Sequence, residues 1–359
     1  MFDFLNTWLA IGGFWVAVPL IIVGCAALIK GADWLVDGAS ALAKKYGVSD
    51  IVIGLTVVAF GTSMPEFVVN MVAVGQGSTE IAITNVLGSN IINIFVILGF
   101  TALIFPISSQ KATRKFDIPF SMLAALLVLL FAVYNSPSWL QIEHIFNMNI
   151  ADPTLSDLGS IQMGQGNGGF ISGVGGSILL IFFLIFLWHN FKGIGSAPQT
   201  ESNEGYKPIS AQRALALILG GLVGLVVGGE LIVKSATSIA HSLGVSDAII
   251  GLTVVALGTS LPELATSCMA AFKKNCDIAL GNVIGSNIFN IFFILGTSAC
   301  VKALPGYHGL EIDALMAALG SVLVMLFVYL TKKHEIKRWH GAILLLTYAA
   351  YLTYRIITL

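Results

Sequence analysis

The chain has 359 residues, of which 56% are hydrophobic and only 10% are charged, and its formal net charge at pH 7 is −1. Soluble domains carry about 25% charged residues, so this composition excludes an ordinary soluble protein and indicates a protein whose solvent is lipid. The lack of a basic surplus also argues against a nucleic-acid partner, because phosphate binding needs clustered positive charge.

Ten apolar segments are long enough to cross about 30 Å of hydrocarbon. The second and seventh are interrupted by Gly and Pro, which predicts broken helices. In chain order, the predicted spans are residues 13–32, 45–74, 80–106, 117–135, 171–191, 211–233, 242–271, 277–302, 311–330 and 340–358.

The positions of Lys and Arg predict the orientation of these spans. The connections after spans 1, 3, 5, 7 and 9 carry most of these residues, among them Lys44, Arg114 and Lys273. With ten spans these connections share one side, which the positive-inside rule makes cytoplasmic. Connection 136–170 has no Lys or Arg, so we expect it outside the cell together with both termini. It contains "WLQIEHIF", compatible with a short interfacial helix, although a flexible connection is the simpler interpretation.

An internal repeat divides the chain into two halves. "GVSDIVIGLTVVAFGTSMPEFVVN" from Gly47 matches "GVSDAIIGLTVVALGTSLPELATS" from Gly244, an offset of 197 residues. "EIAITNVLGSNIINIFVILG" from Glu80 matches "DIALGNVIGSNIFNIFFILG" from Asp277 at the same offset. Each half holds five predicted spans, an odd number, so the second copy enters the membrane in the opposite direction. Inverted repeats of this kind are typical of transporters that bind their substrate at the membrane midplane.

The predicted fold is therefore an all-α integral membrane protein with ten transmembrane helices, arranged as two inverted five-helix repeats with broken core helices. Residues 1–192 form the first repeat, with its repeated motif at 54–99 and the outside loop 136–170. A polar, Gly- and Pro-rich cytoplasmic hinge follows at 193–210. Residues 211–359 form the second repeat, with the matching motif at 251–296.

The motif "GTSMPE" places a carboxylate, Glu66, inside an apolar run, and Glu263 repeats it. A charge at the bilayer centre is costly and usually functional. In a helix, Thr62 and Ser63 share the face of Glu66, and Pro65 removes a backbone N–H and loosens a carbonyl. These are oxygen ligands without thiol or imidazole, which suits Ca²⁺ or Na⁺ and not zinc or copper.

The second motif adds hydroxyls and amides. Asn85, Ser89 and Asn93 are spaced four apart on one helical face, and Asn282, Ser286 and Asn290 repeat the pattern. Packing and interhelical hydrogen bonding are the competing interpretation for such polar residues, above all for Asn85 and Asn90. We also expect Gly88 and Gly285 to allow close approach of helices. A structural ion pair for either Glu would need a Lys or Arg within the membrane, and none is near in sequence.

The pairing of "GTSMPE" with "GSNIIN", repeated as "GTSLPE" with "GSNIFN", resembles the two alpha repeats of the Ca²⁺/cation antiporter superfamily, in particular its prokaryotic-type sodium/calcium exchangers. The resemblance covers nearly the whole chain. It implies ten helices, with spans 2, 3, 7 and 8 forming a core across which spans 1 and 6 slide. It further implies exchange of several Na⁺ for one Ca²⁺ by alternating access.

The resemblance also implies a ligand set. The Ca²⁺ ligands are expected to be the carboxylates of Glu66 and Glu263 and the backbone oxygens of Thr62 and Thr259. The sodium sites would use the remaining positions, with Asn93 near the centre and Asn290 as its repeat mate: Ser63, Ser260, Ser89, Ser286 and the carbonyls of Ala59 and Ala256.

Position 290 departs from part of the family, since some members, including the potassium-dependent branch, have an acidic residue where this chain has Asn290. With Asn at both position 93 and position 290, the core offers two formal negative charges. We therefore expect exchange that does not need K⁺.

Two other functions compete with Na⁺/Ca²⁺ exchange. A Ca²⁺/H⁺ antiporter would also neutralise the two carboxylates, but a proton does not need the surrounding hydroxyls and carbonyls, and "GN-x-x-E-H"-like motifs typical of that branch are missing from the sequence. A channel with a ring of Glu residues is disfavoured by repeats with broken helices.

We expect a transporter and not an enzyme, and we expect it to work as a monomer in a prokaryotic inner membrane. We expect no cofactor, and the expected partners are Ca²⁺, Na⁺ and lipid.

Overall fold

The structure is a computed structural model that describes residues 3–134, 169–192, 209–243, 256–307 and 309–358. The predicted loop 136–170 and the predicted hinge 193–210 lie almost entirely outside these residues. The short interfacial helix of the loop and the linker character of the hinge therefore stay predictions.

Helices account for nearly all of the described part of the first half. Two π-helical segments interrupt them: Gly54–Val58 joins α2 to α3, and Asn93–Leu98 joins α5 to α6. The helices are α1 (Asp3–Tyr46), α2 (Asp50–Ile53), α3 (Ala59–Thr62), α4 (Met64–Gly75), α5 (Thr79–Ile92), α6 (Gly99–Ile104), α7 (Lys111–Lys115), α8 (Asp117–Tyr134) and α9 (Gly173–Lys192).

The described part of the second half is also helical. A π-helical segment, Phe289–Leu295, joins α13 to α14 at the place that corresponds to Asn93–Leu98. The helices are α10 (Ala211–Ser242), α11 (Ala256–Thr259), α12 (Leu261–Phe272), α13 (Cys276–Ile288), α14 (Gly296–Val301), α15 (Leu310–Leu330) and α16 (Arg338–Thr358).

Four strands of two or three residues tie connections of the two halves together. Strand β1 (Ile107–Ser108) pairs antiparallel with β4 (Glu335–Ile336). Strand β2 (Gly169–Ile171) pairs antiparallel with β3 (Leu304–Pro305). These pairs are too short to form a layer, so the all-helical class predicted from the sequence is confirmed.

Seven helices of the described residues are long and apolar enough to cross a membrane, and the bent pair Asp50–Thr62 with Met64–Gly75 makes an eighth. That pair turns by 45° at Ser63, so the predicted break in span 2 is confirmed. Predicted span 242–271 lies partly outside the described residues, and α16 is helical but less apolar. The seven are Gly13–Tyr46, Thr79–Ile104, Lys111–Val133, Gly173–Lys192, Ala211–Ser242, Cys276–Val301 and Leu310–Leu330.

The two segments that carry the second motif form the centre of the molecule. Within its most apolar stretch, Thr79–Ile104 is 78% buried and Cys276–Val301 is 94% buried, against 17% for the stretch in α1 and 28% for that in α10. A helix that is apolar all round is expected either in the interior or against lipid. Here the repeat motifs lie in the interior, and α1 and α10 present most of their surface to the surroundings.

Helices α1 and α10 pack against each other through glycine. A Cβ atom on Gly31 would lie 2.7 Å from the carbonyl oxygen of Gly221, and one on Gly221 would lie 2.7 Å from the carbonyl oxygen of Gly31. Gly24 and Gly228 face each other in the same way. Small residues let membrane helices approach until their backbones touch, so α1 and α10 form a tightly packed pair.

Of the two glycines expected to allow close approach in the second motif, only one does so. A Cβ atom on Gly285 would lie 2.6 Å from the carbonyl oxygen of Leu55, so this glycine lets α13 pack against the π-helical segment Gly54–Val58. The expectation for Gly88 is wrong, because nothing lies within 4 Å of a Cβ built there.

Gly31→Ala should therefore destabilise the protein, whereas Gly88→Ala should not. The added methyl group at position 31 meets backbone atoms that cannot rotate away, a cost of about 1–3 kcal/mol. The same substitution at position 88 enters open space and gains helix propensity. Thermal unfolding of both variants in detergent measures the difference, and equal melting temperatures would show that the α1–α10 contact adjusts freely.

Candidate functional site

Both carboxylates of the first motif lie at helix breaks. Helix α3 ends at Thr62, Ser63 leaves the helical conformation with ψ at 6°, and α4 begins at Met64. Glu66 therefore lies in the first turn of a new helix. Glu263 has the same place in α12, after Ser260 with ψ at 5°. The partial positive charge of a helix N-terminus stabilises an anionic side chain there.

The breaks also explain the prolines. Pro65 and Pro262 occupy the first turns of α4 and α12. Backbone N–H groups in a first turn have no partner within the helix, so proline is tolerated there without loss of a hydrogen bond. The sequence motif thus predicts the break and its position.

The two carboxylates are buried near each other at the interface of the two halves. Glu66 and Glu263 are each 1% exposed, and neither forms an ion pair in the described part of the chain. The Ser63 hydroxyl donates to Oε1 of Glu263 at 2.8 Å, and the Thr62 hydroxyl donates to Oδ1 of Asn282 at 3.0 Å. The break of the first half therefore contacts the carboxylate of the second.

Amides of the second motif fasten each broken helix to its neighbour. Nδ2 of Asn85 donates to Oδ1 of Asn70 at 2.7 Å and to the Glu66 carbonyl at 3.3 Å. Nδ2 of Asn282 donates correspondingly to Oγ of Ser267 at 2.9 Å and to the Glu263 carbonyl at 3.2 Å. Interhelical hydrogen bonding, one of the two interpretations left open for Asn85, is what the structure shows.

A pair of reciprocal bonds, which we call the amide cross, joins the halves at the centre. Nδ2 of Asn93 donates to Oδ1 of Asn287 at 3.0 Å, and Nδ2 of Asn290 donates to Oδ1 of Asn90 at 3.1 Å. Both bonds use the amide nitrogen of the predicted ligand. The carbonyl oxygens Oδ1 of Asn93 and Asn290 are left without a partner.

Unpartnered buried oxygens are concentrated at the predicted site residues. A buried polar atom without a hydrogen bond costs about 1–3 kcal/mol, so such a concentration needs a chemical reason. The atoms at these positions are both carboxylate oxygens of Glu66, Oε2 of Glu263, Oγ1 of Thr259, the Oγ atoms of Ser260, Ser89 and Ser286, and Oδ1 of Asn93 and Asn290.

This donor set matches a hard cation. It combines two carboxylates with neutral oxygens and contains no sulfur or imidazole, as Ca²⁺ and Na⁺ prefer. No group of three or more His, Cys, Asp or Glu side chains suited to a metal occurs in the described residues. Within the described residues, the arrangement thus differs from a metal site rich in charged ligands.

The two halves do not make equal contacts. Ser63 and Thr62 are hydrogen-bonded across the interface, but the hydroxyls of Ser260 and Thr259, which face Glu66, form no hydrogen bond. Glu263 therefore has one oxygen engaged and Glu66 has none. The sequence repeat predicts equivalent environments, and the structure shows two different ones.

The backbone carbonyls of Ala59 and Ala256 are also predicted ligands. The Ala59 carbonyl already accepts from the Ser63 N–H at 3.0 Å and from the Thr62 hydroxyl at 3.3 Å. Ala256 begins α11, directly after residues that the structure does not describe. The ligand roles of both carbonyls stay predictions.

Sequence reasoning missed Asn70 and Ser267, which hold Asn85 and Asn282 in place. Each follows a motif carboxylate by four residues and lies on the same face of its helix. That four-residue spacing could have identified both residues from the sequence. No local spacing in the sequence predicts the pairing within the amide cross, because its partners lie about 200 residues apart.

Comparison with known proteins identifies relatives over almost the whole length. The family model described as sodium/calcium exchanger protein matches residues 16–192 and 213–357. A putative antiporter CaxA of Alkalimonas amylolytica is 36% identical, and the match covers 94% of this chain and 97% of the relative. The sodium/calcium exchanger MaX1 of Methanosarcina acetivorans is 34% identical, and the match covers 93% of this chain and 96% of the relative.

A solved structure shares the fold. The structure of the sodium-calcium exchanger NCX_Mj soaked with 2.5 mM Na⁺ and 0.1 mM Ca²⁺ matches with a TM-score of 0.74. The two sequences are 32% identical, and the match covers 96% of this chain and 98% of the other.

Asn287→Ala should lower the stability of the protein, since it removes the acceptor of Asn93 Nδ2. A buried donor left unpaired costs about 1–3 kcal/mol. Thr84→Ala is the control, because its exposed hydroxyl bonds only to carbonyls of its own helix and its loss should cost less than about 0.5 kcal/mol. Thermal unfolding distinguishes them, and an unchanged melting temperature for Asn287→Ala would show that the amide cross contributes nothing.

Proposed function

The chain belongs to the sodium/calcium exchanger protein family, and we propose that it exchanges Na⁺ for Ca²⁺ across the membrane by alternating access. The observation that carries this proposal is the set of unpartnered buried oxygens around Glu66 and Glu263. The relatives with sodium and calcium in their names support the same choice of ions. The family consists of transporters, which agrees with a site built from groups that bind an ion.

We assign Ca²⁺ to the two carboxylates and the backbone oxygens of Thr62 and Thr259. Two negative charges balance the charge of Ca²⁺, and the neutral oxygens complete a shell that needs about six to eight ligands. We assign Na⁺ to the same carboxylates together with the hydroxyls and carbonyls around them, with Asn93 and Asn290 at the centre.

Shared carboxylates produce the coupling. When neither ion is bound, two unpaired charges remain buried, and each such charge costs several kcal/mol. The energy of the ion-free protein therefore opposes movement between its inward- and outward-open forms. Either Ca²⁺ or several Na⁺ removes this penalty, but both cannot occupy Glu66 and Glu263 together. Exchange follows from competition for these two side chains.

We further propose ten transmembrane helices in two inverted repeats, residues 1–192 and 211–359, joined by a cytoplasmic hinge at 193–210. The second repeat's α11 and α12 would form one broken span like α2–α4. Both termini would lie outside a prokaryotic inner membrane, and one chain would suffice for transport, since both carboxylates come from the same chain.

A Ca²⁺/H⁺ antiporter is the alternative. Protons would neutralise Glu66 and Glu263 as Na⁺ does. The hydroxyls of Ser89, Ser286 and Ser260 favour Na⁺, because a proton needs a single oxygen and these buried groups would then lack a role.

Glu66→Gln and Glu263→Gln should each reduce Ca²⁺ uptake by more than about tenfold, since each removes a charged ligand worth more than 1.4 kcal/mol. Uptake of radioactive calcium into Na⁺-loaded proteoliposomes diluted into Na⁺-free buffer measures this. Glu80→Gln makes the same chemical change on an exposed side chain and should transport normally.

An imposed proton gradient without a Na⁺ gradient separates the two functions. The Na⁺ gradient alone should drive uptake in the unmodified protein. Uptake only with a proton gradient would move the protein to the alternative, and coupled uptake by either Gln variant would contradict the shared-carboxylate scheme.

Potassium should not stimulate Na⁺-driven Ca²⁺ uptake. With Asn at positions 93 and 290, the centre has no third carboxylate to balance the charge of an additional K⁺. Uptake measured with external K⁺ and with an impermeant organic cation should be equal, and faster uptake in K⁺ would refute the charge argument.

A further inference from the structure

Asp117 is a further buried carboxylate and does not belong to the site described above. Asp117 is the first residue of α8 and is 4% exposed, within the apolar span Lys111–Val133. It follows the basic residues Arg114 and Lys115. A carboxylate in a membrane-spanning segment is expensive unless it is neutralised, so its presence needs a reason.

The residues around Asp117 form a small polar cluster. Thr113 and Ser121, four residues before and after it, are also buried, and the side chains of Thr113 and Asn190 face the carboxylate. Three oxygens of this cluster have no hydrogen-bond partner: Oγ1 of Thr113, Oδ1 of Asp117 and Oγ of Ser121. Within the described residues, the cluster therefore combines hydroxyl and amide groups with one carboxylate and contains no positive charge.

No ion pair with Asp117 occurs in the residues that the structure describes. Arg114 donates to the Ser109 carbonyl, and the Lys192 ammonium lies over the Trp188 ring. The elements packed around α8 are α7, α9, α13, α15, β2 and the segment Phe289–Leu295. Their titratable and charged residues are Lys111, Arg114, Lys115, His189, Lys192, Cys276, Asp277, Glu311, Asp313 and Tyr329.

A narrow cavity separates this cluster from the amide cross. Ser121 lines it together with Asn90, Asn287 and Ser321, and it has no room for a water molecule. Neither Glu66 nor Glu263 lines this cavity, so Asp117 shares no water-sized space with the two carboxylates in this structure.

We propose that Asp117 is a proton-binding site and that its carboxyl group holds a proton in the folded protein. The proton comes from water at the end of α8 next to Arg114 and Lys115 and bonds to one carboxylate oxygen. The bound proton removes the charge of a buried carboxyl group that no positive side chain among the described residues neutralises, and the new O–H can donate to a neighbouring hydroxyl oxygen.

Infrared spectroscopy of the purified protein in lipid tests this inference without a transport assay. At neutral pH we expect the carbonyl stretching band of a protonated carboxylic acid, which shifts in deuterated water and disappears in Asp117→Asn. The band should persist in the Glu66→Gln/Glu263→Gln double variant, so the result does not depend on the transport site.

Asp313→Asn is the matched control. Asp313 is also nearly buried in a span, but it accepts from the hydroxyls of Tyr307 and Tyr351 and pairs with Arg355, so we expect it to be ionised and its loss to leave the band unchanged. If Asp117→Asn does not fold, Asp117→Glu should shift the band instead of removing it. A wild-type protein without the band, a band unaffected by both Asp117 substitutions, or a band that appears only when Na⁺ is removed would overturn the proposal.

Discussion

Two carboxylates buried without a positive partner are the constraint on which the rest of this structure depends. Glu66 and Glu263 lie in first turns of helices, where the helix dipole helps to stabilise their charge. That help is smaller than the cost of removing two charges from water. In the proposed exchange, cations from solution complete the site, and the neutral oxygens around it supply the remaining ligands. The helix breaks, the prolines and the polar faces of α5 and α13 all serve this arrangement.

Stability is organised around the same site. The amide cross and the bonds from Asn85 and Asn282 hold α4, α5, α12 and α13 together with side-chain hydrogen bonds, which remain strong in a dry interior. Helices α1 and α10, in contrast, pack through glycine backbones and lie at the periphery. Under the proposed alternating access, the pair of α1 and α10 would move while the hydrogen-bonded centre keeps its geometry.

The unequal contacts of the two halves fit this view. Ser63 reaches Glu263, whereas Ser260 faces Glu66 without a bond. Under the proposed alternating access, this structure would be one of two related states, and exchanging the roles of the two halves would produce the other. A protein that alternates between such states needs them to be close in energy, and a repeated sequence provides this.

Much of the site could be predicted from the sequence by itself, because the relevant spacings are local. The positions of Glu66, Ser89 and Asn93 on helix faces, the break before Pro65 and the membrane environment follow from a few neighbouring residues and the composition. The tertiary structure alone decided which partners they meet. Asn93 bonds Asn287 and not its own repeat mate, and Gly285 is a contact whereas Gly88 is not. Asp117 is buried with no counter-charge among the residues that the structure describes. These outcomes depend on how closely helices approach from distant parts of the chain, a distance that no local pattern encodes.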